Sequence, residues 1–193
     1  MSASTRSARY DIPFADYGVC VFHPVTSEAE TMGRQAAALL RRSMPGRNFV
    51  VIAPNNDPGS AAVFKALDAL PSDRFRVLPS MRFSHFSELM KNAKAMVGNS
   101  SAGVREAPFL GIPSLDIGTR QTNRSDAPSI TSATDDAATI ARFLRDDWGR
   151  SFPRHEAFGA GRAAARFVEV LNDPAFWDGT LQKKFHDHNR DGA

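Results

Sequence analysis

Short apolar runs alternate with segments of helical periodicity along most of the chain, and this alternation constrains the fold more than any other feature. The apolar runs occupy residues 17–22, 48–53, 75–78, 93–97 and 113–117. Between the runs, apolar residues recur at helical spacing, as in Phe86, Leu89 and Met90. Strands that alternate with helices form a parallel sheet covered on both faces. The sequence therefore predicts an α/β fold with a doubly wound, Rossmann-like parallel sheet.

The composition excludes several classes of protein. A net charge of +3 with no dense basic run does not indicate nucleic-acid binding. The single Cys20 excludes an intrachain disulfide, and no Cys/His cluster has metal-ligand spacing, so we expect neither a metal nor a cofactor. No apolar segment approaches the roughly twenty residues that a membrane span needs. Residues 1–9 are polar and unlike a signal peptide, so we expect a cytoplasmic protein with no membrane partner.

We predict three segments in a chain of 193 residues: a leader at 1–16, a ligand-binding domain at 17–171 and a tail at 172–193. Within the domain, helices are expected at 27–45, after Ser60, at 83–92, after Asp135 and Asp136, and at 157–171. The first of these opens with capping-box spacing, and the two aspartates are typical helix caps. Cys20 lies in an apolar run and is expected in the core.

The most informative local segment is residues 97–106 (VGNSSAGVRE), where an apolar run stops at small residues and helix-forming sequence follows to about Leu110. The free N–H groups at the start of such a helix favour an anion such as phosphate. Ser100 and Ser101 add donors, and Gly103 has no Cβ to block a ligand. Glu106 lies one turn further on, where it can accept hydrogen bonds from a ribose diol. The alternative is a helix merely capped by serine.

Polar residues follow each of the five apolar runs. They are His23, Asn55, Ser80, Ser100 and Arg120. Because the carboxyl ends of parallel strands meet at one edge of the sheet, where doubly wound folds bind ligands, these clusters predict a binding site.

Several of these side chains have a competing structural interpretation. His23 could bond a neighbouring carbonyl, or it could donate to or charge-pair with a phosphoryl oxygen. Arg120 suits bidentate phosphate contact but could be a solvated charge. Phe86 fits the core better than a base-stacking platform. Asp57 is typical of a turn, and the serines have no Asp-His pair for a hydrolase triad.

Four segments in order resemble the hydrolysing UDP-N-acetylglucosamine 2-epimerases. They are 22–26 (FHPVT), 54–60 (PNNDPGS), 98–106 (GNSSAGVRE) and 117–124 (IGTRQTNR). The sialic-acid-pathway branch is the most similar, together with the branch that acts on diacetamido sugars. Residues 158–161 (FGAG) resemble the entry to that family's last helix.

The resemblance implies that this chain is the C-terminal, UDP-binding half of a two-domain fold like that of B-type glycosyltransferases. UDP-contacting positions of the family fall on His23, Asn55, Ser100, Ser101, Glu106 and Arg120. The family holds uracil where Ser80, Met81 and Phe86 stand here. It places Glu106 at the ribose hydroxyls and the two serines at the diphosphate.

The family reaction eliminates UDP from UDP-N-acetylglucosamine and then adds water, which yields N-acetylmannosamine and UDP. Its acid–base carboxylates lie on an N-terminal domain that this chain lacks, and His23 is the one catalytic candidate here. We therefore expect the chain to be inactive without that domain, which is lost by truncation or supplied in trans, and to form a homo-oligomer. The alternatives are the nucleotide-sugar-binding half of a B-type glycosyltransferase and a non-catalytic UDP-sugar-binding subunit. The choice between acetamido sugars stays open.

Overall fold

The protein contains a six-stranded, wholly parallel sheet in the order β3-β2-β1-β4-β5-β6. The computed structural model describes residues 10–25, 46–134 and 136–179. The strands are β1 Gly18–Val21, β2 Phe49–Ile52, β3 Phe75–Leu78, β4 Met96–Gly98, β5 Ser114–Ile117 and β6 Ile130–Ala133. This order, with the sheet growing outward in both directions from β1 and β4, confirms the doubly wound, Rossmann-like fold.

Six α-helices and one 3-10 turn lie in the described part of the chain. They are α1 Ser60–Asp68, α2 Phe83–Lys91, the 3-10 turn Ser101–Gly103, α3 Glu106–Leu110, α4 Ala137–Asp146, α5 Ala163–Asn172 and α6 Pro174–Trp177. The predicted cap of α4 is confirmed, because Asp136 accepts hydrogen bonds from the backbone N–H groups of Ala138 and Thr139 at 3.1 and 3.0 Å. A hydrogen bond from the Thr139 side chain, together with these two backbone bonds, lowers the pKa of Asp136. Asp135 and the helix predicted at 27–45 lie outside the described residues.

Two compact units divide the chain, Met1–Ala157 and Phe158–Ala193. The sheet belongs to the first unit, and α5 and α6 belong to the second. The helix expected at 157–171 begins only at Ala163, because Gly159 and Gly161 adopt left-handed φ angles of 94° and 80° in the preceding turn.

The core of the first unit consists of two apolar clusters. One contains Cys20, Phe49 and Val97, and the other contains Phe14, Val50 and Met96. Cys20 is in the core as predicted, and burial raises the pKa of its thiol to about 12. The central strands β1, β2 and β4 are therefore covered on both faces, which explains why their sequences are apolar without alternation.

The segment before β1, assigned to the leader, contacts the folded unit along residues 10–16. Phe14 is buried in the core. The Asp16 carboxylate accepts a hydrogen bond from Trp148 Nε1 at 3.1 Å, and its backbone carbonyl accepts one from Asn48 Nδ2 at 3.1 Å. These bonds join the segment to the amino-terminal edge of the sheet.

Candidate functional site

The strand order reverses between β1 and β4, which are neighbours in the sheet although two strands separate them in sequence. Ligands of doubly wound folds bind outside the carboxyl ends of the strands at such a switch point. The structure places all five predicted polar residues at this edge, each two or three positions after its strand ends. They are His23 after β1, Asn55 after β2, Ser80 after β3, Ser100 after β4 and Arg120 after β5.

A buried asparagine, Asn99, links three of these strand ends. Its Oδ1 accepts a hydrogen bond from the backbone N–H of His23 at 2.7 Å, and its Nδ2 donates to the backbone carbonyl of His23 at 2.8 Å. The Asn99 carbonyl accepts from Arg120 Nη1 at 3.2 Å and from Gln121 Nε2 at 2.9 Å. Asn99 and Gln121 were not predicted as site residues, because in the sequence they stand only within a turn and a motif.

The His23 ring is half-buried, and its pKa lies below the ordinary value. Burial is the main cause, and the nearby positive charge of Arg120 acts in the same direction. A hydrogen bond with Asn55 and the charge of Asp57 oppose this shift. Asn55 Nδ2 in turn donates to Asp57 Oδ2 at 2.6 Å, which holds the turn after β2. A neutral imidazole can donate a hydrogen bond to a ligand, so the structure favours donation over charge pairing.

Ser100 caps the 3-10 turn, because its Oγ accepts a hydrogen bond from the Ala102 N–H at 3.3 Å. The alternative interpretation, a serine that caps the helical turn, therefore applies to Ser100. Among the described residues, however, no acceptor bonds the backbone N–H groups of Ser100 and Ser101. Unpaired backbone donors at a switch point are available to an anion.

The helix expected from about residue 100 is divided into the 3-10 turn and the five-residue α3. The dipole at this point is therefore smaller than the sequence predicts. Glu106 is the first residue of α3, and its Oε2 is buried with no hydrogen-bond donor in the described part of the chain. A buried carboxylate oxygen without a donor is costly, so this position is suited to a ligand that brings one.

Gly103 is buried, and the structure supplies a packing reason for it. A Cβ at this position would lie 2.8 Å from Ser114 Oγ on β5. The missing side chain thus lets the 3-10 turn lie against the sheet. The expected contact between Gly103 and a ligand stays a prediction.

The three residues predicted to contact uracil lie just before α2 and in its first turns. Ser80 is exposed, whereas Met81 and Phe86 are partly buried and pack against the cluster that contains Phe14 and Met96. Phe86 therefore has the core contacts that its helical position indicates. A role in stacking on a base stays a prediction.

No group of three metal-binding side chains occurs among the residues that the structure describes. Over the same ranges, every helix is too short or too polar to cross a membrane.

Comparison with known proteins assigns the family. Residues 1–172 match the UDP-N-acetylglucosamine 2-epimerase family. The chain belongs to this family. It is 40% identical over 194 residues to a UDP-N-acetylglucosamine 2-epimerase of Neisseria meningitidis, covering 93% of this chain and 49% of the relative. It is also 30% identical over 130 residues to the polysialic acid biosynthesis protein P7 of Escherichia coli, covering 65% of this chain and 33% of the relative.

A solved structure of a family member has the same fold. The UDP-N-acetylglucosamine 2-epimerase from Neisseria meningitidis bound to UDP-N-acetylglucosamine superposes with a TM-score of 0.65 at 16% identity. The superposition covers 81% of this chain and 44% of that chain. The chain thus spans about half the length, or less, of the epimerases it matches.

Proposed function

We propose that this chain is the UDP-binding half of a hydrolysing UDP-N-acetylglucosamine 2-epimerase. The family match across residues 1–172 carries the proposal. It is supported by the polar groups at the β1–β4 switch point, which have the chemistry that a nucleoside diphosphate needs. Free N–H groups and an arginine suit phosphate, and a carboxylate suits the ribose diol.

The diphosphate lies against the tips of β1, β4 and β5. The N–H groups of Ser100 and Ser101 donate to phosphoryl oxygens, and Arg120 neutralises their charge. Arg120 already spends one guanidinium N–H on the Asn99 carbonyl, which leaves other donors of the fork for the ligand. The neutral His23 ring donates to the diphosphate, and Asn55 orients that ring.

The uridine part extends from Glu106 toward α2. Ribose hydroxyls donate to the Glu106 carboxylate, whose Oε2 has no donor within the described residues. Uracil lies at Ser80, Met81 and Phe86, where an exposed hydroxyl adjoins two partly buried apolar side chains. Gly103 forms the floor between ribose and diphosphate.

The reaction breaks the bond between sugar C1 and the UDP oxygen and removes the proton from C2, which leaves an unsaturated sugar and UDP. Water then adds a hydroxyl to C1 and a proton to C2 on the opposite face, which gives N-acetylmannosamine. In this scheme His23 donates to the leaving diphosphate. Removal of the C2 proton needs a base, and we assign that base to the other half of the epimerase. The chain alone is therefore silent in catalysis.

The apolar surface of the second unit is the proposed contact for that other half. Phe167, Val168 and Val170 of α5 are exposed, as are Phe176 and Trp177 of α6. Several large exposed apolar side chains on two adjacent helices favour a protein interface. Since the chain spans 49% of its Neisseria relative, the proposed occupant is the N-terminal half of an epimerase, whether it belongs to the same polypeptide or is supplied in trans. Without that half, analytical sedimentation of the chain should show self-association as the protein concentration rises. A strictly monomeric profile would contradict the proposed apolar interface.

Titration calorimetry with UDP, uridine and CMP tests the nucleotide site. The parent chain should bind UDP more tightly than either uridine or CMP. It should bind UDP more weakly than a full-length relative does, because 193 residues spanning about half that length enclose less of the ligand. Equal binding of UDP and CMP, or no binding of either, would refute the assignment.

Two substitutions separate the ribose contact from the diphosphate contact. Glu106→Gln should weaken UDP and uridine alike, by about 1.5–3 kcal/mol or roughly tenfold and more, because a charge-assisted hydrogen bond is lost. Arg120→Ala should weaken UDP far more than uridine. The matched controls are Glu169→Gln and Arg142→Ala, which remove a negative and a positive charge from exposed helical positions. Neither control should change the affinity for UDP or for uridine. Unchanged UDP binding by Glu106→Gln would exclude the ribose contact.

Reconstitution tests the reaction. The chain is mixed with the N-terminal half of the Neisseria relative and UDP-N-acetylglucosamine in deuterated water, and products are followed by NMR. We expect UDP and N-acetylmannosamine labelled with deuterium at C2, and no product from either half alone. Sugar transfer to an added acceptor would indicate a glycosyltransferase. Tight UDP binding without turnover, in a mixture where the two halves co-sediment, would indicate a non-catalytic subunit.

A further inference from the structure

The backbone ladder between β1 and β4 ends in an unusual way. Its last backbone bond runs from the Asn99 N–H to the Val21 carbonyl at 3.1 Å. The next position along β1 is occupied by bonds from a side chain. The Asn99 amide both accepts from the His23 N–H and donates to its carbonyl, at 2.7 and 2.8 Å. The side-chain amide of Asn99 thus makes the two hydrogen bonds to the His23 backbone that a continuing strand would make.

This replacement has a consequence for the backbone of Ser100 and Ser101. If β4 continued as a strand, the Asn99 carbonyl and the Ser101 N–H would pair with the His23 backbone on β1, and the Ser100 N–H would face β5. Because the Asn99 side chain makes those bonds, the backbone turns away. The N–H groups of Ser100 and Ser101 consequently have no acceptor among the described residues.

The Asn99 carbonyl extends the same arrangement to β5. It accepts from Arg120 Nη1 and from Gln121 Nε2, and the Gln121 Oε1 accepts from Arg124 Nη1 at 3.0 Å. Asn99 is 1% exposed and Gln121 is 3% exposed, so the bond between them is shielded from competing water, whereas the two arginine bonds are partly buried. One residue therefore sets the relative positions of His23, the free N–H groups and Arg120.

We infer that Asn99 is a positioning residue for the diphosphate. Its side chain pairs with the His23 backbone, so the backbone of Ser100 and Ser101 turns out of the sheet and leaves their N–H groups for the ligand. Gln121 is a secondary positioning residue that holds the Arg120 loop on the Asn99 carbonyl. Only asparagine meets the requirement at 99, because aspartate lacks the donor and glutamine is one methylene too long. The inference rests on the proposed UDP site.

The test compares UDP with uridine, because the network positions groups for phosphate and not for the nucleoside. Asn99→Ala should lower UDP affinity roughly tenfold or more and leave uridine affinity within about twofold. Gln121→Met, which keeps the Asn99–His23 pairing and a similar volume, should lower the UDP-to-uridine affinity ratio by a smaller factor. If Asn99→Ala does not fold, Gln121→Met decides the question.

Asn48→Ala is the matched control. It removes another asparagine that joins distant segments, through its 3.1 Å bond to the Asp16 carbonyl, but at the opposite edge of the sheet. It should lower the melting temperature without changing the UDP-to-uridine ratio.

The possible outcomes separate this inference from the proposed function. A parent chain that prefers UDP, with variants that melt lower and keep the same ratio, would assign Asn99 a purely structural role and overturn the inference alone. A parent chain that binds UDP no better than uridine would overturn the diphosphate site and the inference with it. A ratio that falls in both variants and not in the control supports the inference.

Discussion

Asp116 provides a test of how the site end of the sheet is buried. This carboxyl lies on β5, in register between Gly98 of β4 and Ser132 of β6. Asp116 is 5% exposed, and burial raises the pKa of its carboxyl from 3.8 to about 6. The sequence offers no sign of this, because it presents Asp116 only as one polar residue within an apolar strand.

The direction and size of the effect follow from proton linkage. Because the pKa of Asp116 is higher in the folded state, folding favours its protonated form. The contribution of Asp116 to the free energy of unfolding therefore falls as the pH rises from about 4 through about 6, and is constant above that. At about 1.4 kcal/mol for each unit of pKa, the full loss is about 3 kcal/mol. Asp116→Asn keeps the shape and removes the ionisation.

We expect Asp116→Asn to be more stable than the parent by up to about 3 kcal/mol at pH 8 and nearly equal to it at pH 4. Urea denaturation of both proteins at intervals between these pH values measures the difference directly, since all other titrating groups are common to both. Asp73→Asn, at an exposed position, is the control and should give a flat difference. A flat difference for Asp116→Asn would refute the argument that its carboxyl is desolvated.

Three further substitutions test local packing. Gly98→Ala should prevent folding or destabilise the protein by at least about 3 kcal/mol, because φ is 133° and the new Cβ would overlap the Val21 carbonyl; normal expression and an unchanged urea midpoint would contradict this. Gly103→Ala should cost about 1–3 kcal/mol through its contact with Ser114 Oγ, and most of the loss should disappear when Ser114→Ala is added; equal losses in the two backgrounds would exclude that contact. Asp136→Ala should cost about 1 kcal/mol by removing the α4 cap, and an unchanged thermal melt would show that the cap contributes nothing.

The sequence determined the fold class and the edge of the sheet where the candidate site lies. Apolar runs without alternation, separated by helical segments, are compatible with a parallel sheet covered on both faces, and parallel strands bring their carboxyl ends together. That is why the positions of His23, Ser100 and Arg120 along the rim were predictable from strand ends alone. The strand β6 was missed, because the short polar sequence ITSA at Ile130–Ala133 has no strand signal apart from its pairing with β5.

The tertiary structure decided which contacts each residue of the candidate site makes. Asn99 and Gln121 look like ordinary turn residues, and their hydrogen bonds are made with partners that are 76 and 22 positions away in the chain. Glycine is needed at 103 because a Cβ there would lie too close to Ser114 Oγ on β5. The lowered pKa of His23 depends on the burial of its ring and on the charge of Arg120. Periodicity and spacing describe neighbours along the chain, whereas hydrogen bonds, desolvation and close packing depend on residues that only folding brings together.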